Sequence, residues 1–264
     1  MNENSLLKNS KYSPLMKYTR SLLRKVNKVL SDYNLIKEGD RVLVAVSGGK
    51  DSLSLLHLLT EHRRFFPVRY EIGAIHVVSD FAENAGKTRE YLKSVFSGMN
   101  IPYSFPEISV IYDKEGGICD PSCFWCSWNR RKALFEYTRE NGYNKLALAH
   151  HFDDVAETIL LNLFYHGNLD SIIPKRAFFD GAFDVIRPLF YVRERELVRL
   201  ASLAGFLSKT CTCTHADTSK RRLMKNLISG MSKESKYLHW NLWRAAKKWY
   251  DTFGEHPLHK DTKK

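Results

Sequence analysis

Five apolar residues, Val42-Leu43-Val44-Ala45-Val46, run directly into Ser47-Gly48-Gly49-Lys50-Asp51-Ser52, and a helical pattern through Leu53, Leu55, Leu56 and Leu59 starts at once. A strand, a glycine turn and a helix in that order leave few choices of fold. The glycines let backbone N–H groups close on an anion, the helix N-terminus adds partial positive charge, and Lys50 adds a full one. The spacing is not that of a Walker loop, which places four residues between its first glycine and the Gly-Lys pair. The plain alternative is a tight turn whose helix is capped by Asp51 or Ser52. This hexapeptide behind five apolar residues argues instead for a nucleotide-phosphate site.

The rest of the pattern repeats strand and helix. Strands are predicted at 42–46, 70–78, 103–108 and 145–149, with helices at 52–62, 88–96, 127–140 and 155–165 between and after them. Leu22, Val26, Leu30 and Tyr33 recur at helical spacing, so an amphipathic helix precedes the first strand. Residues 174–188 read as a hairpin-like excursion, 194–204 as a helix, and the chain from Leu207 as basic and helical. Alternation of this kind predicts an α/β fold with a parallel sheet covered on both faces. Ligands of such sheets sit beyond the carboxyl ends of the strands, where Ser47–Ser52, Val78–Asp80 and His150–Asp154 all fall.

Charge and cysteines narrow the class. Lys and Arg number 41 against 29 Asp and Glu, a formal charge of +12 over 264 residues. That excess suits a protein that meets RNA, the bland alternative being a solvated basic surface. No charged segment followed by an apolar one marks a secretory leader, and no apolar run approaches the ~20 residues that span a bilayer. A cytoplasmic location away from membranes is expected. Five cysteines in such a chain argue for metal or redox chemistry over a disulfide framework.

Cys123-Phe-Trp-Cys126 has the two-residue gap that lets two thiolates share one metal or cluster, just ahead of Arg130, Arg131 and Lys132. Helix-end N–H groups and cations favour the thiolate. Cys211 and Cys213 lie far downstream. Three outcomes stay open on these residues: structural zinc with His215 as a further ligand, a redox dithiol, or an iron–sulfur cluster on three cysteines.

Taken together, Arg41 to Ser52, Cys123-x-x-Cys126 with Arg130-Arg131, Ala149-His150-His151-Phe152-Asp153-Asp154 and Ile186-Arg187-Pro188-Leu189 resemble, in that order, the tRNA 2-thiocytidine synthetase (TtcA) branch of the PP-loop ATP pyrophosphatases. The resemblance covers residues 18 to 231. It implies an adenine nucleotide alpha hydrolase-like core over 37–205, behind an N-terminal segment and helix over 1–36. A basic helical region over 206–264 would carry a third cluster cysteine. It further implies an ATP-dependent sulfurtransferase acting on cytidine 32 of the tRNA anticodon loop, with magnesium, a 4Fe-4S cluster, a cysteine desulfurase or other sulfur donor, and a homodimer. Carried over by position, Ser47, Gly48, Gly49, Lys50, Asp51, Ser52 and His150 bind the nucleotide. Lys50, Asp51 and Asp154 serve the reaction, and Cys123, Cys126 and Cys213 hold the cluster. The family spaces its downstream cysteines by two residues, whereas Thr212 alone separates them here. Alignment on Arg221, eight residues after Cys213, selects Cys213 over Cys211. Cys119 could also approach the site, its plainer reading being a small buried or partly exposed thiol. The stretch after Met231, with Trp240, Trp243 and Trp249, departs from the family pattern.

Rival readings keep the loop and change the chemistry. A lysidine synthetase needs no cluster, uridine thiolases carry additional zinc modules, and a non-catalytic zinc-stabilised RNA-binding module would not need an intact loop. Among single residues, one of Asp153 and Asp154 is expected to cap its helix while the other serves magnesium or pyrophosphate. His76 reads as a satisfied core histidine. Arg187 would contact either an RNA phosphate or a neighbouring carboxylate. Tyr237, Trp240 and Trp243 have near-helical spacing, for which packing is the default and base stacking the alternative.

Overall fold

Val42, Leu43 and Val44 are buried, and the strand that holds them, β1 (Arg41–Ala45), lies inside a sheet, not at its edge. The computed structural model describes residues 13–80, 85–110, 123–206 and 220–253. Two compact units make up the chain, Met1–Ala149 with Pro174–Cys213, and His150–Ile173 with Thr214–Lys264.

In the first unit the elements run α1 (Pro14–Asp32), β1, α2 (Lys50–Phe65), β2 (Glu71–Ile75), β3 (Val78–Ser79), α3 (Ala85–Gly98), β4 (Tyr103–Ser104), β5 (Glu107–Ile108), α4 (Cys123–Glu140) and β6 (Lys145–Ala147). β7 (Lys175–Phe178), β8 (Phe183–Ile186) and α6 (Glu194–Ala204) complete it. The main sheet has the order β4-β2-β1-β6-β8-β7. Its pairs are parallel except β7–β8, the antiparallel hairpin expected at 174–188.

Helices cover both faces. On one, α2 is buried along Leu53, Leu55, Leu56, Leu58 and Leu59 and packs against α1 and α6. On the other, Leu134, Phe135 and Tyr137 of α4 pack against Leu43, Ile75, Leu146, Phe183 and Val185. Helix α1 opens on Ser13, whose hydroxyl accepts from Met16 N at 3.1 Å, with Pro14 at the first position. At the opposite end of the strands from the β1–α2 turn, Lys145 is buried and bonds Asp184 at 2.6 Å, fixing the β6–β8 register with a charge pair.

The expected strand over 70–78 is two. Ala74 N donates to Pro102 O, but Val78 N donates to Pro106 O, and β3 pairs with β5 in a separate two-stranded sheet. Pro106 has no N–H to donate at its own position, so the ladder is interrupted there and both strands divide, while the register is kept: Ala74 pairs with Tyr103 and Val78 with Glu107.

The second unit is helical among the described residues: α5 (Phe152–His166), α7 (Lys220–Glu234) and α8 (Leu238–Phe253). Ala156 and Leu160 of α5 pack with Met224 and Ile228 of α7 and with Leu238 and Leu242 of α8. Within the expected aromatic stripe, Trp243 is buried, Trp240 rests on Phe152 at 4.7 Å, and Tyr237 is exposed beneath Lys236. Packing thus accounts for two of the three. No helix among the described residues is long and apolar enough to cross a membrane.

Three imidazoles in the first unit, His62 buried and His57 and His76 half-buried, make this fold acid-sensitive. Burial pushes His57, His62 and His76 below the ordinary histidine range, His62 to about 4, where it stacks on Phe66 at 4.2 Å. An unfolded imidazole protonates near pH 6.5, so the stabilisation is full above that value and is lost as pH falls toward the folded pKa. Each group contributes a slope of at most about 1.4 kcal/mol per pH unit across its window. Urea unfolding should give a clearly lower midpoint at pH 5 than at pH 7. Equal midpoints would contradict neutral buried rings.

Candidate active site

The turn between β1 and α2 is built from its own side chains. Ser52 Oγ donates to Gly49 O at 2.9 Å and accepts from Ser47 N at 3.2 Å. Its one proton being used, the 3.2 Å contact between the two hydroxyls has Ser47 as donor, which leaves Ser47 Oγ to accept from Gly49 N at 3.4 Å. Gly48 sits at φ +90°, where a side chain would be strained and its Cβ would press on Thr88 of α3 at 3.3 Å. The N-cap of α2 is Gly49, with no side-chain cap. Neither Asp51 nor Ser52 takes the capping role, because Ser52 is spent on the turn and Asp51 on Lys50. The helix therefore presents its first N–H groups at an end where an anion would complete them.

Lys50 Nζ lies 3.0 Å from Asp51 Oδ2 and 3.1 Å from Glu194 Oε1, at the first turn of α6. Burial works against its charge, but Asp51 and Glu194 outweigh that and raise its pKa above the ordinary lysine value. The other oxygen of Asp51, Oδ1, is buried with no hydrogen-bond partner. Such an atom is costly unless something outside the protein takes it up.

Behind the turn, His76 Nδ1 donates to Val46 O at 2.7 Å, which makes it the satisfied histidine expected. Its pKa is lowered chiefly by burial, with a further contribution from Arg130 on α4. Arg130 itself lies 3.6 Å from the Sγ of Cys126, a half-buried free thiol. Arg130 is thus in contact with the thiol and close enough to His76 for its charge to be felt there. Cys123 opens α4 one turn earlier; Cys119, Cys211, Cys213 and His215 lie outside the described residues. Among the described residues no group of three or more His, Cys, Asp or Glu is disposed to hold a metal.

Arg187, at the end of β8, is held down to about 10 by burial and by the charges of Arg176 and Arg131. A cavity of about 320 Å³ lies between β3, β5 and the start of α3, lined by Val78, Asp80, Gly86, Arg89 and Glu107 among others. Asp80 shapes its floor by accepting from Ser109 Oγ at 2.7 Å and Val110 N at 2.9 Å.

In the second unit the start of α5 differs from expectation. Its N-cap is His151, not an aspartate: Asp154 N donates to the ring Nδ1 at 3.4 Å, and His151 N donates to Asp154 Oδ2 at 2.9 Å. The imidazole nitrogen supplies the acceptor, and Asp154 takes the reciprocal third position of a capping box. Both aspartates are further engaged by the C-terminal helices. Arg221 donates to Asp154 Oδ1 at 2.7 Å and Glu157 Oε2 at 2.9 Å, and His239 Nε2 lies 3.0 Å from Asp153 Oδ1. Burial opposes the Arg221 charge, yet Asp154 and Glu157 together raise its pKa; burial likewise lifts Glu157 in spite of Arg221. Glu194 and His239 carry no local motif, so sequence reading gave them no role, and Arg221 served there only to align the downstream cysteines.

A parallel sheet whose central strand feeds a Ser-Gly-Gly-Lys-Asp-Ser turn is the architecture of nucleotide-binding PP-loop proteins, and residues 18–208 match the PP-loop domain family. A tRNA-cytidine(32) 2-sulfurtransferase of Syntrophotalea carbinolica is 36% identical over 84% of this chain and 86% of its own length. One of Geobacter metallireducens is 37% identical, covering 86% and 88%. The chain belongs to the tRNA-cytidine(32) 2-sulfurtransferase family of PP-loop proteins. Among solved structures, the U34-tRNA thiolase NcsA of Methanococcus maripaludis, with its 4Fe-4S cluster, superposes with a TM-score of 0.73 over 89% of this chain and 79% of that one. At 22% identity this likeness shows the fold.

Proposed function

We propose that this chain is an ATP-dependent sulfurtransferase that replaces the 2-oxo group of cytidine 32 in tRNA by sulfur. The observation that carries the reading is the Ser47–Ser52 turn with Lys50 poised at an uncapped helix end, in a chain of this family. A pyrimidine 2-oxo group leaves poorly. Adenylation of that oxygen expels pyrophosphate and converts it into a phosphate ester, which departs as AMP once sulfur adds at C2. The N–H groups of α2 would hold the phosphates, and Lys50 would offset charge on the departing pyrophosphate. Lys50 must exchange at least one of its two carboxylate partners to do so.

Asp51 Oδ1, buried and unpartnered, is a hard oxygen donor that fits magnesium. Asp154 and His150 are assigned as a second carboxylate and a nucleotide contact, and Asp154 would have to loosen its Arg221 pair to serve. Cys126 beside Arg130, with Cys123 one turn before it, suits soft-metal thiolate ligation, completed by Cys213. A 4Fe-4S cluster held there would carry the donated sulfur to the base, and the related thiolase was solved with such a cluster. Arg131, Arg176 and Arg187 form a cationic group that an RNA phosphate would complement. Magnesium, a cysteine desulfurase as sulfur source, a homodimer, a cytoplasmic location and a PP-loop domain over 37–205 complete the reading.

Anaerobic incubation of the full chain with unmodified tRNA, ATP, magnesium and a sulfur donor, followed by mass spectrometry of the nucleosides, should yield 2-thiocytidine. Iron and acid-labile sulfide should copurify. 2-Thiouridine or lysidine as the product, or zinc in place of iron with no product, would overturn the assignment.

A further inference from the structure

Trp125 and Trp128 stand three residues apart on α4, and their rings are parallel: centroids 5.8 Å apart, planes within 6°. They are 37% and 45% exposed, while Leu134, Phe135 and Tyr137 of the same helix turn inward to the core. Two large, partly exposed aromatic rings on a helix that already has its apolar face offer surface to a contact from outside the chain. A cation accompanies them. Lys132 lies over the Trp128 ring at 5.9 Å, and its ion pair with Glu136, at 3.7 Å, is exposed and weak. Arg130 and Arg131 precede it. Flat aromatic faces interleaved with Lys and Arg are what unpaired RNA bases stack on. The position fits as well. Cys126 is the next residue after Trp125, and a helix with its side chains is only about 10–12 Å across. An RNA strand with one base at the thiol would have its adjoining bases within reach of this helix surface.

We propose that Trp125 and Trp128 form the stacking platform for an unpaired base next to the target nucleotide, with Lys132 serving the backbone phosphate beside it. This rests on the RNA-thiolation reading above, and it assigns an RNA contact that neither the loop nor the cysteines supply. The pair holds the loop while the neighbouring base is presented.

The test uses the full chain and an anticodon stem-loop RNA carrying 2-aminopurine at the loop position that follows the target cytidine. Stacking quenches this base. Wild-type protein should quench it, Trp125→Ala/Trp128→Ala should not, and Trp125→Phe/Trp128→Phe should retain most of the effect. The double alanine variant should bind the RNA about tenfold more weakly. An abasic site at the probe position should remove that difference, since both changes delete one contact. Unchanged circular dichroism and ATP affinity in the alanine variant verify its fold. Persistent quenching with unchanged RNA affinity would overturn the platform. So would a shift of the alanine variant to a smaller species in sedimentation with RNA binding intact, which would make the pair a contact between two copies. Wild-type protein that quenches the probe yet forms no 2-thiocytidine keeps the platform and removes the thiolation reading. Thiolation with an unquenched probe does the reverse.

Discussion

Lys50→Ala is expected to abolish thiolation, slowing a single turnover by about a thousandfold or more. The effect exceeds the loss of one cation. Asp51 Oδ2 and Glu194 Oε1 both lie within 3.1 Å of the lysine nitrogen, so its removal leaves two carboxylates confronting each other where phosphate must bind. The site turns from attractive to repulsive, and ATP affinity should fall together with the rate. Removing the second carboxylate separates the two effects. In Lys50→Ala/Glu194→Gln, nucleotide affinity should recover in part while the rate stays low, because the charge that stabilises departing pyrophosphate is still missing. Isothermal titration with a non-hydrolysable ATP analogue and single-turnover assays on tRNA read the two quantities. Iron content should be unchanged in both variants. Normal thiolation by Lys50→Ala would remove the adenylation scheme.

Cys126→Ala should lose the cluster and essentially all activity. Its Sγ lies 3.6 Å from Arg130 in the Cys-x-x-Cys pair proposed to hold the cluster, and alanine offers iron no ligand in its place. Cys213→Ala should behave in the same way, and Cys211→Ala should stay brown and active. Anaerobic iron and sulfide analysis with visible absorbance makes the comparison, and ATP affinity serves as the control that should not move. A colourless Cys211 variant beside an active Cys213 variant would exchange the assignment of the third ligand.

The part of the site that lies in one short stretch of chain was readable from sequence. Gly48 could be singled out because its backbone conformation and its closeness to Thr88 both exclude a side chain, and contiguous residues complete the turn. The helix over 194–204 and the hairpin over 174–188 also followed from local pattern. Partners that arrive through tertiary packing did not. Glu194 is 144 residues from Lys50 and reaches it only because α6 packs on α2. The cap of α5 was misjudged for a different reason: an aspartate is the commoner acceptor, but a histidine ring nitrogen satisfies the same N–H, leaving Asp154 for the reciprocal bond. Trp125 and Trp128 were visible as letters. Their i, i+3 spacing was the available signal, yet whether such a pair turns inward or outward depends on which face of α4 meets the sheet.

Arg221 and His239 have a consequence for anyone trimming this protein. Each reaches back from a late helix to an aspartate in the first turn of α5, and Met224 and Ile228 roof the apolar side of the same helix. Cutting the chain after residue 206 would strip α5 of both of these side-chain partners and uncover Leu160, a recipe for a sticky fragment. The late helices are better regarded as the missing wall of α5 than as a dispensable tail.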